Sequence, residues 1–502
     1  MSVVIHTEYG LTGGCWNGAV VGMPGMWVGP GASTDHWGLA HEFTHSWQCS
    51  VGTGLSCPNS NTCGWIYESH ANWSAQQLPE YHTTNVHCSE MSVNAPHLYL
   101  GDTRDRYCNW QFMEYLKDKY CYQAVNDIWT SAKTGADPFT YIMSTRGWTL
   151  SQANDFFGEW AMHNVTWDYQ DPAPESTAGG NQGTLFRSAN GYGSITDTSY
   201  SRRLLRLTNL ESMDLPNRRF SVNPYQAPQR YGYNIVKLVP DAGATSVTVT
   251  FRGVLQAAAN PDFRWGLVAT DAGITTARYS TMQRGTDGAL TFCVNAGESL
   301  FLVVTATPSV QQTMVWGTAT DGQNYDTIYR YPYMVQFANA WPANFPAGAQ
   351  AACPTGLSRH ANGGGCAPSS LPATVFVGPY ATVQTGTTVS GSATIQDHAT
   401  IANGTVTGGT IGALSVVGAI DSYPGNNNTF NVSGSAKIQT TFYPLGFYEP
   451  GQSATGGWLF GDVEFRGANF SIASGNYTGL VQSTTASQTM NDISPLGPYT
   501  WR

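Results

Sequence analysis

STDHWGLAHEFTHSWQ, residues 33–48, is the stretch from which the rest of the chain is best read. Ser33, Thr34 and Asp35 are residues of the kind that cap a helix N-terminus, so a helix is expected to begin near His36. Trp37, Ala40, Thr44 and Trp47 then recur at helical spacing and are expected to pack inward. His41 and His45, four residues apart, project together from a neighbouring face, where one metal ion can reach both imidazoles. Glu42 directly follows the first histidine, a position from which a carboxylate can contact a water on the metal without entering its coordination sphere.

A second helical segment, CGWIYESHANWSAQQ at 63–77, follows a loop rich in Gly, Ser and Asn. Its Glu68 and Asn72 are four apart and share a face, which supplies a third ligand and a group able to orient a ligand imidazole. Glu80, Glu90 and several histidines downstream are other sources of the third ligand. Polar residues on an amphipathic helix are often simply solvated, but the Trp and Phe neighbours here make the helix too buried to leave imidazoles unpaired. A structural zinc site favours four Cys or His ligands, whereas three ligands beside a carboxylate leave a position for water. The expected cofactor is therefore Zn2+, held by His41, His45 and Glu68.

From about residue 35 to 165 the pattern is mostly helical, as in NWQFMEYLKDKYCYQAVNDIWTSA (109–132). Before it, VVIHTEYG and GAVVGMPGMWVG read as short strands broken by Gly and Pro. An α+β first domain, residues 1–170, follows from that order. Only about forty residues precede the motif, so further residues are expected upstream. Residues 171–347 change to strands such as NIVKLVP, SVTVTFRGV, FRWGLVAT, LTFCV and SLFLVVTATP, the pattern of a β-sandwich. Residues 348–372 look like a Gly/Pro/Ala-rich linker clipped by a Cys353–Cys366 disulfide, and Cys57 and Cys63 are placed to close another short loop. Val377, Val383, Val389, Ile395 and Ile401 then recur at six-residue steps, with small residues Ala381, Thr387, Ala393 and Ala399 two positions before their partners. That is the signature of a hexapeptide β-helix, assigned to 373–420, with a β-rich C-terminal segment over 421–502.

Charged residues are 11% of the chain and the formal net charge is -10, which disfavours nucleic acid and anionic membrane surfaces. No apolar run is long enough to span a bilayer, so membrane insertion is not expected. The loop cysteines point to an oxidising, extracellular compartment, with any signal peptide already removed. Sequons at Asn164, Asn403 and Asn469 permit glycosylation. Among Trp265, Trp316, Trp341 and Trp458, exposed rings would be able to stack on carbohydrate. GAVVGMPGMWVG would suit the edge strand that pairs with an extended peptide.

His41, Glu42 and His45 followed by Glu68 within YESHANW resemble the gluzincin pattern of zinc metallopeptidases. More narrowly, HEFTHSWQ, NIVKLVPDAG, WGLVAT, SLFLVVTATP and RYPYMVQFANAWP look like the Svx- and AvrXca-like secreted proteins of plant-associated bacteria, over nearly the whole chain. The resemblance implies a zincin-like catalytic domain and a secreted endopeptidase acting on protein or glycoprotein substrates, with Glu42 as general base. Asn72 stands where many gluzincins carry a carboxylate, and an amide raises ligand basicity less. Gluzincins commonly stabilise the oxyanion with a Tyr or His from further along the chain. Tyr107 is the first choice here, beside His97 and His163. The competing reading is a non-catalytic adhesin or carbohydrate-binding virulence factor that retains the zinc helix as scaffold.

Overall fold

The computed structural model describes residues 2–5, 13–17, 24–29, 33–50, 64–78, 81, 94–100, 108–130, 138–169, 204–312, 329–420, 428–441, 445–446, 451–461, 463–465, 469, 471–477, 480–481 and 499–501. Its first region places strands β1 (Ser2–Ile5), β2 (Gly13–Asn17) and β3 (Pro24–Val28) before helices α1 (His36–Ser50), α2 (Gly64–Gln76), α3 (Trp110–Thr130), α4 (Pro138–Arg146) and α5 (Leu150–His163). Asp35 caps α1 by accepting a 2.8 Å bond from the Gly38 N–H. β3 runs parallel to β1 and antiparallel to β2, so it lies in the middle of the three and β2 is the edge on the helix side. The sequence assigned the edge to the stretch around β3. GGCWN, at β2, takes that place instead, because an antiparallel partner needs only a short connection.

The expected inward stripe of α1 holds at Thr44, which is buried, and at Trp47, which packs on the apolar core; Trp37 and Ala40 are partly exposed, Phe43 is largely so, and His41 and Gln48 are buried beside Thr44. A polar stripe survives burial here because α2 meets it with Ser69, His70 and Asn72, which are buried too. α2 is tied in turn to α3: Trp73 Nε1 donates to Glu114 Oε2 at 2.9 Å, and the fully buried Lys117 ammonium pairs with Glu114 Oε1 at 2.7 Å.

The strands between residues 210 and 342 form two antiparallel sheets. One runs β10 (Gln283–Arg284), β8 (Phe263–Thr270), β12 (Ser299–Ala306), β6 (Tyr233–Pro240), β14 (Ala340–Pro342), with β9 (Ala277–Tyr279) on β8. The other runs β11 (Asp287–Cys293), β7 (Ser246–Gly253), β13 (Tyr333–Ala338), β5 (Arg219–Val222), β4 (Leu210–Asp214). β7 alternates, burying Val247, Val249 and Phe251 against the first sheet. β8 is buried at every residue, because its outer face lies under α5. Small residues permit the approach: a side chain on Gly158 would strike Arg264 and Met282, and one on Gly266 would strike Met162.

Packing therefore runs across the expected boundary at residue 170. Phe112, Phe157 and Trp160 share one apolar core with Tyr231, Tyr233, Val268 and Phe301 of the sheet. An ion cluster seals it: Arg264, only 2% exposed, holds Asp155 of α5 at 2.6 Å and Asp262 at 2.8 Å.

After the sandwich the chain forms a β-solenoid with three parallel sheets. Val377 pairs with Ile395 and Val383 with Ile401, so each early coil has three six-residue sides. The coil strands from Thr382 to Ile411 are each a Thr followed by an inward Val or Ile. The solenoid is longer than 373–420 at both ends. The stretch read as a linker contributes the hairpin Ser358–Arg359/Cys366–Ala367, and Cys366 pairs with the coil at Thr382. The Cys353–Cys366 disulfide lies there, while Cys57 and Cys63 are outside the described residues. At the far end, coils continue through Trp458–Gly461 and Asn476–Tyr477.

The solenoid docks on the rest of the chain through His398, which bonds Glu211 at 3.1 Å, through Tyr380, whose hydroxyl accepts from the Ser212 N–H at 3.3 Å, and through His97, whose Nε2–H donates to the Thr441 carbonyl at 2.9 Å. Asn164 is buried at the end of α5 and bonded to Tyr169, so it offers no room for a glycan. Trp265 is a core residue. Trp341 lies under the Arg218 guanidinium and Trp458 under the Lys437 ammonium, and Trp316 is outside the described residues.

Arg264→Met should lower stability by about 1–3 kcal/mol, since a buried position loses its bonds to Asp155 and Asp262 while Asp155 keeps its pair with Arg284 at 2.9 Å; a urea-unfolding midpoint within error of the unchanged protein would contradict it. Burial, with Arg330 adding, pushes His97 down to about 3 from its usual 6.5. Between those values the unfolded chain binds a proton that the folded chain refuses. Stability should therefore fall as pH drops through that window, by roughly 1 kcal/mol per pH unit from this group, and His97→Gln should show a shallower fall in urea midpoints between pH 7 and 4.

Candidate metal centre

His41 and His45 sit one turn apart on α1, and α2 crosses the same face with Glu68. The two Nε2 atoms are 3.0 Å apart, and Glu68 Oε2 is 3.3 Å from each. All three ligand atoms lie within 4.8 Å of one another, and theirs is the cluster of this kind among the described residues.

The outer nitrogens explain why the rings face inward. His41 Nδ1 is 2.7 Å from Asn72 Oδ1, and His45 Nδ1 is 2.8 Å from Gln48 Oε1. An amide oxygen only accepts, so both imidazoles carry their proton on Nδ1 and turn the Nε2 lone pair toward the centre. Two lone pairs and a carboxylate oxygen then face one point. Mutual repulsion would open that arrangement unless positive charge sits within it, either a shared proton or a metal ion.

Metal-free electrostatics express the same demand. Burial raises the Glu68 carboxyl, yet the bonds and charges of His41 and His45 outweigh it and hold the group down to about 2. Burial lowers His45, but Glu68 and Gln48 more than compensate, and its pKa ends above the usual value. Glu42 is half-buried on the same turn and contributes negative charge to His45. Trp37 stacks on the His41 ring at 5.6 Å and covers one side of the site.

The structure thus brings together His41, His45 and Glu68, with Asn72 behind His41 and Glu42 alongside. Tyr107, Glu80 and Glu90 lie outside the described residues. His97 and His163 are committed elsewhere, the first to Thr441 and the second to Asp168 at 2.8 Å. Gln48 and His70 were not singled out from the sequence. The available signal was the i,i+3 spacing of Gln48 from His45, which places the two on one face of the helix.

No curated protein and no solved structure matches the chain. One family model does, over residues 1–344, from the first strands to the end of the sandwich and short of the solenoid. The chain belongs to this family, DUF6055, a family of unknown function.

Proposed function

We propose that this protein is a secreted zinc-dependent endopeptidase acting on extracellular protein or glycoprotein substrates. The observation that carries the reading is the convergence of three acceptors, two of them imidazoles whose Nδ1 atoms are tied back by amides. Two neutral imidazoles and one carboxylate are a donor set suited to zinc, with a position left for water. The resemblance of His41, Glu42, His45 and Glu68 to the gluzincin pattern supports the peptidase half. The Cys353–Cys366 disulfide supports an oxidising compartment.

When bound, zinc would supply a Lewis acid for the scissile carbonyl and lower the pKa of the attacking water. His41, His45 and Glu68 would hold it in place. Glu42 follows His41 on the helix and stands outside the ligand set, where its carboxylate would take the water proton and pass it to the leaving amine. Asn72 keeps the His41 ring from rotating out of line.

Purified protein should carry about one zinc per chain by mass spectrometry, and Glu68→Ala should lose most of it. Zinc at a hundred times its Kd should stabilise the fold by about 2.7 kcal/mol. Chelation should abolish cleavage of an unstructured protein substrate. Glu42→Gln should keep the metal and lose turnover by a factor of 10² or more. Cleavage persisting in that variant would overturn the assignment of Glu42, and a chain that takes up no zinc would overturn the whole reading.

A further inference from the structure

We infer that Gln48, anchored by Tyr67 and His70, positions His45 as a ligand and locks it to the turn of α2 that supplies Glu68; this rests on the zinc reading above. The Gln48 amide makes three bonds. Its oxygen accepts from His45 Nδ1 at 2.8 Å, and its nitrogen meets the Tyr67 carbonyl at 3.1 Å and His70 Nδ1 at 3.0 Å. The Tyr67 carbonyl can only accept, which fixes that end of the amide as the nitrogen. The other end is therefore the oxygen, and His70 Nδ1 accepts the remaining hydrogen. A flipped amide would press its oxygen against the Tyr67 carbonyl and turn its N–H groups toward His45. The ring of His45 is thus held in the one tautomer that presents Nε2 to a metal.

The anchor is rigid. His70 is 2% exposed and its ring lies among Trp47, Trp73 and Trp129, with centroids at 5.8, 5.5 and 4.8 Å. Tyr67 and His70 flank Glu68 on α2, so one amide sets both the tautomer of His45 and its distance from Glu68. Asn72, on α2 itself, ties His41 across the same interface through one bond. Gln48 is itself buried and does not reach the face where substrate would lie; it is a positioning residue.

The test compares zinc affinity of the full chain, by competition with a chromogenic chelator, in unchanged protein, Gln48→Met and Gln48→Glu. Methionine fills the space without either kind of bond and should weaken zinc binding about 10–100-fold. Glutamate keeps an acceptor for His45 Nδ1–H but sets an oxygen against the Tyr67 carbonyl and His70 Nδ1, so it should recover only part of that loss, a partial rescue that a purely space-filling role would not produce. In the unchanged protein loaded with zinc, ¹⁵N-imidazole NMR should find the His45 proton on Nδ1, a readout independent of how the variants fold. Gln48→Met binding zinc as tightly as unchanged protein, or the His45 proton on Nε2, overturns the positioning role while leaving the metal site standing. Unchanged protein that binds no zinc overturns both.

Discussion

A buried polar clasp between two helices is the constraint from which the rest of the first region follows. α1 and α2 do not meet through an apolar seam at the site. They meet through His41 with Asn72, and His45 with Gln48, which is held by Tyr67 and His70. Groups of this kind cost about 1–3 kcal/mol each when buried without a partner, so the helices are stable together only in the register that satisfies them all. That register is also the one in which Glu68 reaches both Nε2 atoms. The same bonds that make the interface tolerable leave three acceptors facing each other.

Everything behind the clasp stiffens it. Trp73 and the Lys117–Glu114 pair fix α2 to α3, and aromatic side chains of α3 and α5 then rest on the outer face of the sandwich. β8 is buried on both sides, a condition otherwise typical of central strands in layered α/β folds. Helices and sandwich share one core, which gives a physical reason for a family model that spans both, over residues 1–344, and ends where the solenoid begins. The solenoid has a separate core of stacked Val and Ile and touches the rest through a few polar and aromatic contacts.

Much of the fold was legible because its signals are local. Asp35 as cap and the alternation of Val247, Val249 and Phe251 each depend on residues a few positions apart, and the structure has them as read; the helical period of 109–132 gives Trp110–Thr130, interrupted by a kink at Cys121, whose φ is 68°. The hexapeptide period from Val377 to Ile401 was equally plain, since each coil repeats the same inward position. Beyond Ile401 the spacing shifts, with Val406 and Ile411 in the inward places, and later coils are longer, so the period fades although the stacking continues through Tyr477. The edge strand was misplaced for a similar reason: which of three short strands lies outermost depends on pairing, and GGCWN has little strand character of its own.

At the site, residue spacing alone puts His41 and His45 on one helix face with Glu42 beside them, because four residues make about one turn whatever surrounds the helix. It also made Glu68 and Asn72 available on one face of a second helix. That this face meets the first, that Glu68 closes the triangle, and that Gln48 turns its oxygen rather than its nitrogen toward His45 all depend on how the two helices pack. An amide has no preferred direction along its own helix. The Tyr67 carbonyl and His70, twenty residues further on, impose one, and through it they determine where the lone pair of His45 points.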